Sequence, residues 1–336
     1  MSNTTREIRL AARPVGEPGP DHFTLATADL PEPTDGQVLV RNTWMSVDPY
    51  MRGRMDEGES YIAPFRVGAA LEGAAVGEVV ASKSEAVPVG ATVVHFLGWR
   101  EHAVVAASAV TVVDTAVAPP QAYLGVLGTP GLTAYVSLTE IAPVRPGDVV
   151  FVSAAAGAVG SVAGQIAKRL GASRVIGSAG GPVKAGKLLH DFGFDAAVDY
   201  KSGPIAERLA SAAPEGIDVY LDHVGGDHLE AAIGAMREGG RIALVGAISQ
   251  YNATGPVRGP DLYPAAVKQL SLRGMVVSSY LHRFPEYVGR AAGWLADGGL
   301  RTEETVFDGL ERAPEAFLGV LSGANTGKML VRLDAR

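Results

Sequence analysis

The stretch Ala155–Gly160 has residue types and a spacing that suit the binding of phosphate groups. It follows an apolar run at 148–153 and opens a helix-like run at 162–170. Glycine at 157 lets the backbone approach a pyrophosphate, glycine at 160 lets the helix pack close to the strand, and the helix N-terminus offers unpaired N–H groups. This order of strand, turn and helix predicts a dinucleotide site; a tight turn that binds no ligand is the alternative. The predicted binding residues of the turn are Gly157, Ala158, Val159 and Gly160.

The end of the second predicted strand, 174–178, indicates which dinucleotide binds. A site that prefers NAD places Asp or Glu there, about 20 residues past the glycines, to hold the ribose 2′-hydroxyl. Residues 177–181 read GSAGG, so no carboxylate is present to repel a 2′-phosphate, and Lys184 follows with a positive charge. Ser178 and Lys184 together predict NADP(H), against the alternative that Lys184 is a solvated lysine on a helix.

Metal and thiol chemistry find little support in the sequence. The chain has no cysteine, which excludes disulfides, thiol catalysis and an all-cysteine zinc site. Its seven histidines show no metal-ligand spacing such as HExxH, although His95 and His102 share one strand region and His223 adjoins Asp222. We expect structural or surface histidines and no bound metal.

Composition limits the classes of partner. Of 336 residues, 47% are hydrophobic, and the formal net charge is −7 without a long basic run. Nucleic acid and anionic membranes are therefore not expected as partners. No segment reaches the roughly 18–20 consecutive apolar residues of a membrane span, and the first seven residues form no apolar signal region. The sequence predicts a soluble, cytoplasmic protein.

The pattern of elements changes near residue 124, and the length of the chain also favours two domains. The first part has short β segments separated by Pro and Gly, such as 37–41, 74–80 and 91–96, which predicts a small, mostly β, barrel-like domain. After it, strands alternate with amphipathic helices, which predicts an α/β architecture with a doubly wound parallel sheet. The predicted domains are a β-rich substrate domain, 1–124 and 299–336, and a dinucleotide-binding domain, 125–298.

The expected elements of the dinucleotide domain alternate regularly. Its strands are predicted at 148–153, 174–178, 196–200, 217–222, 241–246 and 272–277. Its helices are predicted near 131–140, 158–170, 183–192, 226–237, 262–269 and 284–297. The tail is predicted to form a strand, a helix and a strand, at 304–307, 313–322 and 328–333. Because ligands bind beyond the carboxyl ends of parallel strands, four loops should carry the site, namely 154–160, 178–184, 223–226 and 246–252. The last should face the nicotinamide half; an ordinary connecting loop is the alternative.

Six stretches, in this order, carry a resemblance to a known group: Val47–Arg52 (VDPYMR), Gly128–Tyr135 (GTPGLTAY), Ala154–Ser161 (AAAGAVGS), Gly193–Tyr200 (GFDAAVDY), Gly246–Tyr251 (GAISQY) and Gly323–Lys328 (GANTGK). Over nearly its whole length the chain is similar to the zinc-independent medium-chain dehydrogenase/reductases. Within them it resembles the group of leukotriene B4 12-hydroxydehydrogenase/prostaglandin reductase, plant double-bond reductase and curcumin reductase.

The resemblance implies a Rossmann-type sheet with a GroES-like barrel, and NADP(H)-dependent reduction of the C=C bond of α,β-unsaturated ketones and aldehydes. It also implies a homodimer joined through the edge strand of the nucleotide domain. Lys184 would contact the 2′-phosphate, and Tyr200 the adenosine phosphate end. Asn325 would reach the cofactor phosphate from the tail, or else only cap a helix. Tyr50 would border the substrate pocket, or else only pack against its neighbours. The residues whose backbone would line the nicotinamide include Gly246, Ala247, Ile248, Tyr251, Met275 and Val277.

Departures from the group bear on the site. Ala265–Lys268 reads AAVK where relatives read Ile-Ile-Tyr-Lys, and Val267 cannot form a hydrogen bond through its side chain. Tyr263, four residues earlier, could share a helix face with it but is not assumed to replace the missing tyrosine. His223 stands where relatives often have Asn; an imidazole could still bind the cofactor but ordinarily titrates near neutrality. Leu71 stands where zinc-dependent relatives have a ligand.

Reduction of an enone requires hydrogen-bond donors aimed at the carbonyl oxygen, where negative charge develops. Besides the nicotinamide ribose hydroxyl, the predicted catalytic donors are Tyr50, Tyr251 and Tyr263. Three alternatives stay open: a quinone reductase-like member of the same superfamily, an NADPH-binding protein with little catalysis, and a secondary-alcohol dehydrogenase.

Overall fold

A computed structural model describes residues 4–333 and divides the chain into two compact units. One unit, here the β-rich unit, contains the residues up to Gly125 and those from Glu304 onward. The other, the nucleotide unit, runs from Val126 to Glu303. Residues 299–303, predicted to lie with the β-rich tail, stay with the nucleotide unit. There the side chain of Gln165 both donates to and accepts from the backbone of Arg301, at 2.9 and 2.7 Å.

The strands are β1 Thr4–Leu10, β2 Phe23–Asp29, β3 Gln37–Ser46, β4 Ala75–Ser82, β5 Thr92–His95, β6 His102–Ala106, β7 Thr111–Val112, β8 Val149–Val152, β9 Arg174–Ala179, β10 Ala196–Asp199, β11 Ile217–Asp222, β12 Met236–Leu244, β13 Ser271–Gly274, β14 Glu304–Asp308 and β15 Lys328–Arg332. The helices are α1 Met51–Arg54, α2 Thr129–Val136, α3 Ala158–Arg169, α4 Pro182–His190, α5 Ile205–Ala212, α6 Gly226–Ala235, α7 Tyr263–Val267, α8 Phe284–Ala296 and α9 Ala313–Leu321. None of the helices within residues 4–333 is long and apolar enough to cross a bilayer.

The β-rich unit is built on one seven-stranded sheet. Its order is β14-β15-β3-β4-β5-β7, with β6 also paired to β3, while β1 and β2 form a separate antiparallel pair. Strands β1, β3, β4 and β15 contribute to one apolar core, in which the Trp99 ring meets the rings of Phe23 and Phe317 at 6.2 and 6.1 Å. Strands β3, β4, β5 and β6 bury other residues in a second apolar cluster. The tail strand β15 completes this sheet through its antiparallel pairing with β3.

The nucleotide unit contains the predicted parallel sheet, in the order β10-β9-β8-β11-β12-β13. All four residues of β8 are buried, as a strand covered by helices on both faces requires. Helices α5, α6 and α7 contribute to a core on one face. On the other face, a Cβ at Gly177 of β9 would lie 2.8 Å from the side chains of Leu188 and Phe194, so glycine allows α4 to pack closely. The doubly wound α/β architecture is confirmed.

Three elements of this unit differ from the predicted ones. Strand β12 begins at Met236, within the predicted helix 226–237, because Met236 already pairs with Ile217 of β11. The register of this pairing then shifts before Arg241. Strand β13 ends at Gly274, since the chain then turns into a 3-10 helix, Val277–Arg283. Helix α5 was not predicted, although Ile205 and Leu209, four residues apart, bury one face of it.

Candidate active site

The glycine turn between β8 and α3 leaves its helix N-terminus free of bulky side chains. Gly157 caps the helix in an extended conformation, and a Cβ on Gly160 would lie 2.5 Å from the Ala154 carbonyl oxygen. Ala154 itself has φ 47°, an uncommon value for a residue other than glycine. The first N–H groups of a helix have no partner within the helix, so those of Ala158, Val159 and Gly160 can receive an anion. The turn has the shape that a pyrophosphate needs.

Two lysines and a tyrosine meet beyond the ends of β9 and β10. A Cβ on Gly180 would lie 2.9 Å from the Tyr200 hydroxyl oxygen and 3.0 Å from Cε of Lys201. Burial lowers the pKa of Lys184, and the nearby positive charge of Lys201 lowers it further. Like charges brought together in a half-buried place favour an anion between them. We call Lys184, Tyr200 and Lys201 the lysine corner.

The sequence reading missed Lys201 and a carboxylate beside it. Lys201 directly follows Tyr200. Its position just after β10, which pairs with β9, could have indicated that it lies near the loop after β9. Asp199, the last residue of β10, accepts hydrogen bonds from the backbone N–H groups of Gly181 and Lys201, at 2.8 and 3.0 Å. This carboxylate therefore fixes the loop after β9. Ser178 does not join the corner, because its side chain is fully buried in the sheet.

His223 connects the carboxyl ends of the two central strands, β8 and β11. Its backbone N–H donates to Oγ of Ser153 at 2.9 Å, and its ring Nδ1 lies 2.8 Å from the Ser153 carbonyl oxygen. A carbonyl only accepts, so Nδ1 carries the proton. Nε2 is buried and has no hydrogen-bond partner within residues 4–333. Burial lowers the pKa of His223, so the ring is neutral at pH 7.

The loop after β12 is tied to the loop after β11. The backbone N–H of Ile248 donates to the His223 carbonyl oxygen at 3.2 Å, and that of Ser249 donates to Val224 at the same distance. The Tyr251 hydroxyl turns back onto this loop, where it accepts a weak hydrogen bond from the N–H of Ala247 at 3.5 Å. Burial raises the pKa of Tyr251, so it remains a neutral phenol.

A cavity of about 480 Å³ opens beside this loop, within the nucleotide unit. That volume lies in the usual range for a small-molecule site. The predicted residues Gly246, Ala247 and Met275 line it, and Val277 lies two residues beyond Met275 in the 3-10 helix. Gln250, which lies in the predicted loop 246–252, and Val276, which follows Met275, also line the cavity, together with Val257 and Arg258.

Tyr50 lies in the β-rich unit, where it caps the short helix α1 and packs against the apolar core. Its hydroxyl oxygen is buried and makes no hydrogen bond within the described part of the chain. Burial raises the pKa of Tyr50 well above its ordinary value, the Asp48 carboxylate adds to the rise, and Arg54 opposes it. Tyr50 is therefore a protonated hydroxyl with its donor capacity unused.

Four further residues singled out in the sequence are Tyr263, Val267, Asn325 and Leu71. Tyr263 begins α7 with 75% of its surface exposed, and Val267, at the end of that helix, is also exposed. In the β-rich unit, Nδ2 of Asn325 donates to the Gly327 carbonyl oxygen at 2.7 Å and closes a local turn. Leu71 is buried in the apolar core. Among residues 4–333, no group of three or more histidine or carboxylate side chains could hold a metal ion.

Two protein-family profiles match the chain. The first, described as the N-terminal domain of oxidoreductase, matches residues 6–113. The second, described as zinc-binding dehydrogenase, matches residues 158–293. The first match falls within the β-rich unit and the second within the nucleotide unit.

The relatives match nearly the full length of the chain. An oxidoreductase of Bacillus subtilis (strain 168), named as NADP-dependent, is 44% identical over 99% of both chains. The NADPH-dependent curcumin reductase of Escherichia coli (strain K12) is 37% identical over 96% of this chain and 95% of its own. Among solved structures, CurA from Vibrio vulnificus in complex with NADPH is 40% identical and superposes with a TM-score of 0.93, covering 98% of this chain and 100% of that one.

Proposed function

The chain belongs to the medium-chain dehydrogenase/reductases, in the group of the curcumin reductases and prostaglandin reductase 1, and from this we propose that it reduces the C=C bond of α,β-unsaturated ketones and aldehydes. It is an NADP-dependent oxidoreductase whose cofactor is NADP(H), and its relatives support the reduction of double bonds. The enone or enal substrate, the residues that act on it and the dimeric state are our proposals.

The residues of the nucleotide unit fit the cofactor. The turn suits a pyrophosphate, because Gly157 brings no side chain to the start of α3 and Gly160 lets the helix pack closely on the turn. The lysine corner supplies two positive charges that suit a 2′-phosphate. The cavity beside Ala247 and Met275 is a place for the nicotinamide half. We propose that Gly246, Ile248 and the other predicted loop residues line that half through their backbone.

The main support for the proposed reaction is the Tyr50 hydroxyl, which is buried and has no hydrogen-bond partner within residues 4–333. When bound, NADPH supplies the hydride that adds to the β-carbon of the substrate. Negative charge then develops on the substrate carbonyl oxygen, and a hydrogen-bond donor held in a dry environment stabilises it. Tyr50 is such a donor: its oxygen is buried and unpartnered, and its raised pKa keeps the proton in place. Water or a second tyrosine, Tyr251 or Tyr263, would then protonate the α-carbon.

The test is NADPH oxidation, followed by absorbance, with a panel of enals, linear and cyclic enones, and quinones, each repeated with NADH. We expect turnover of enones and enals with a clear preference for NADPH. Turnover of quinones alone would select a quinone reductase. Tight NADPH binding without turnover of any acceptor would contradict an enzymatic role on these substrates.

Tyr50→Phe tests the assignment of the donor. Loss of one oxyanion donor typically lowers kcat by about 100-fold or more, and we expect a fall of at least about tenfold for this variant. The NADPH dissociation constant should stay within about twofold, because the phenol is not proposed to contact the cofactor. Tyr61→Phe is the matched control, since Tyr61 lies near Tyr50 but is 62% exposed. Unchanged turnover in Tyr50→Phe would remove this hydroxyl from the mechanism.

We also propose that two copies of the chain pair through β13. This strand is one edge of the six-stranded sheet, so its outer N–H and C=O groups have no neighbouring strand within residues 4–333. Three of its four residues are exposed. An open edge of this kind pairs readily with a second strand, and a two-fold axis would join two β13 strands into one continuous sheet.

A further inference from the structure

The buried Nε2 atom of His223 is an unused hydrogen-bond acceptor at the centre of the sheet. Nδ1 carries the ring proton, because it lies 2.8 Å from the Ser153 carbonyl oxygen, which can only accept. The neutral ring therefore has its lone pair on Nε2, and no group within residues 4–333 donates to it. A buried acceptor without a donor is costly in the folded state. A buried polar atom without a partner needs an explanation, and the position of this atom suggests that a bound ligand donates to it.

The position of the ring points to the dinucleotide. From β8 the chain continues to β9 and β10 on one side of the sheet, and from β11 it continues to β12 and β13 on the other. The carboxyl ends of β8 and β11 are therefore the place where the winding reverses, which is where dinucleotides cross a sheet of this kind. His223 connects these two ends through Ser153. Its carbonyl oxygen also accepts from Ile248, in the loop beside the nicotinamide cavity.

The chemistry of the cofactor narrows the contact further. The pyrophosphate offers only acceptor oxygens, so a lone pair on Nε2 cannot bind it. The ribose hydroxyls can donate. Because the pyrophosphate is assigned to the start of α3 and the nicotinamide to the loop containing Ile248, the ribose of the nicotinamide half falls between them. We propose that Nε2 of His223 accepts a hydrogen bond from a hydroxyl of this ribose and thereby holds the nicotinamide half in position.

His223→Asn is the sharpest variant, because its amide can still donate to the Ser153 carbonyl from about the place of Nδ1, whereas no atom replaces Nε2. We expect the NADPH dissociation constant, measured by fluorescence titration, to rise by about three- to tenfold, the usual worth of one neutral hydrogen bond. The dissociation constant of 2′,5′-ADP, which lacks the nicotinamide ribose, should not change. Equal weakening of both ligands, or no weakening of NADPH, would overturn the proposal.

Nuclear magnetic resonance gives a second readout that needs no substrate. In protein labelled with ¹⁵N at histidine, the resonances lost in His223→Asn identify this ring. Its proton should be on Nδ1 in the free protein, and the Nε2 resonance should shift on addition of NADPH but not of 2′,5′-ADP. A proton on Nε2, or the same shift with both ligands, would contradict the proposed contact. The proposal rests on the assigned cofactor, and both measurements are independent of whether enones are the substrate.

Discussion

At the scale of single residues, the nucleotide unit uses burial to set protonation in two opposite ways. The pKa of Lys184 is lowered by burial and by the charge of Lys201, and a phosphate bound between the two lysines would reduce this repulsion. The pKa of Tyr251 is raised by burial, which keeps its phenol protonated. His223 stays neutral for the same physical reason. Burial therefore keeps the Tyr251 phenol protonated as a hydrogen-bond donor and the His223 ring neutral, with an acceptor atom on Nε2.

Lys201→Ala should weaken NADPH binding by about tenfold, because a charge-assisted contact to phosphate contributes about 1.5–3 kcal/mol. NADH lacks the 2′-phosphate, so its dissociation constant should stay within about twofold. Lys184→Ala should behave in the same way. The matched control is Lys187→Ala on the same helix, since Lys187 is paired to Glu303 at 2.6 Å and should affect neither cofactor. Parallel losses for NADPH and NADH would place Lys201 outside a 2′-phosphate site.

His95 in the β-rich unit makes the stability of the protein depend on pH. Its Nε2 lies 2.7 Å from Oδ1 of Asn42, and burial, followed by the charge of Arg100, lowers the pKa of His95 to about 4. Between pH 6.5 and 4 the unfolded chain binds a proton that the folded chain does not, so the free energy of unfolding falls as the pH falls. The loss reaches about 3 kcal/mol at pH 4. Denaturant titrations at pH 7 and pH 4.5 measure it.

His95→Gln isolates this contribution, because its amide can still donate to Asn42 but does not titrate. The variant should lose less stability than the parent chain between pH 7 and pH 4.5. Burial also lowers the pKa values of His102 and His228, so part of the acid sensitivity should remain. His190→Gln, at an exposed position, should show the full pH dependence. Identical pH dependence in His95→Gln and the parent would show that His95 is not the group responsible.

At the scale of elements, the start of α3 depends on the absence of one side chain. A Cβ on Gly160 would lie 2.5 Å from the Ala154 carbonyl oxygen and 2.6 Å from Cα of Ala155, and both are backbone atoms that cannot turn aside. The helix therefore packs on the turn only with glycine at this position. Gly160 therefore determines both the close packing of α3 and the shape of the phosphate turn.

Gly160→Ala should lower the free energy of unfolding by about 1–3 kcal/mol, the usual cost of forced overpacking. It should also weaken NADPH binding, because the turn must move. Gly186→Ala is the control: nothing lies within 4 Å of a Cβ there, so it should stabilise α4 by about 0.5–1 kcal/mol. Thermal unfolding with and without NADPH measures both effects. A Gly160→Ala variant as stable as the parent would show that the turn tolerates a side chain.

The sequence predicted the elements with strong periodicity and missed those that depend on partners. The buried run of β8 and the amphipathic helix α3 were found because their patterns are complete within a few residues. The start of β12 was predicted as helix from its local pattern. In the structure the pairing of Met236 with Ile217 of β11 outweighs that pattern. Lys201 was missed for a related reason: its proximity to Lys184 arises only when β9 and β10 pair. The roles proposed for the site residues stay predictions.

At the scale of the whole molecule, the open edge at β13 predicts the oligomeric state. Light scattering should give twice the mass of one chain at micromolar concentration, because an unpaired edge strand is an attachment surface. Hydrogen exchange offers an internal control, since β10 is the other edge of the same sheet. The outer amides of β13 should exchange more slowly than those of β10. A single-chain mass, or equal exchange at both edges, would contradict pairing through β13.

The return of the tail to the β-rich unit sets an order on folding during synthesis. Asp48 pairs with Lys328 at 2.8 Å, across 280 residues of chain. At roughly 5–20 residues per second, a ribosome needs about 15–60 seconds to travel that distance. The nucleotide unit, which is continuous in sequence, is complete before β15 emerges. Part of the β-rich unit is therefore made before the nucleotide unit but can complete its sheet only after β15 has been made, and until then the Asp48 carboxylate is without its ion pair to Lys328.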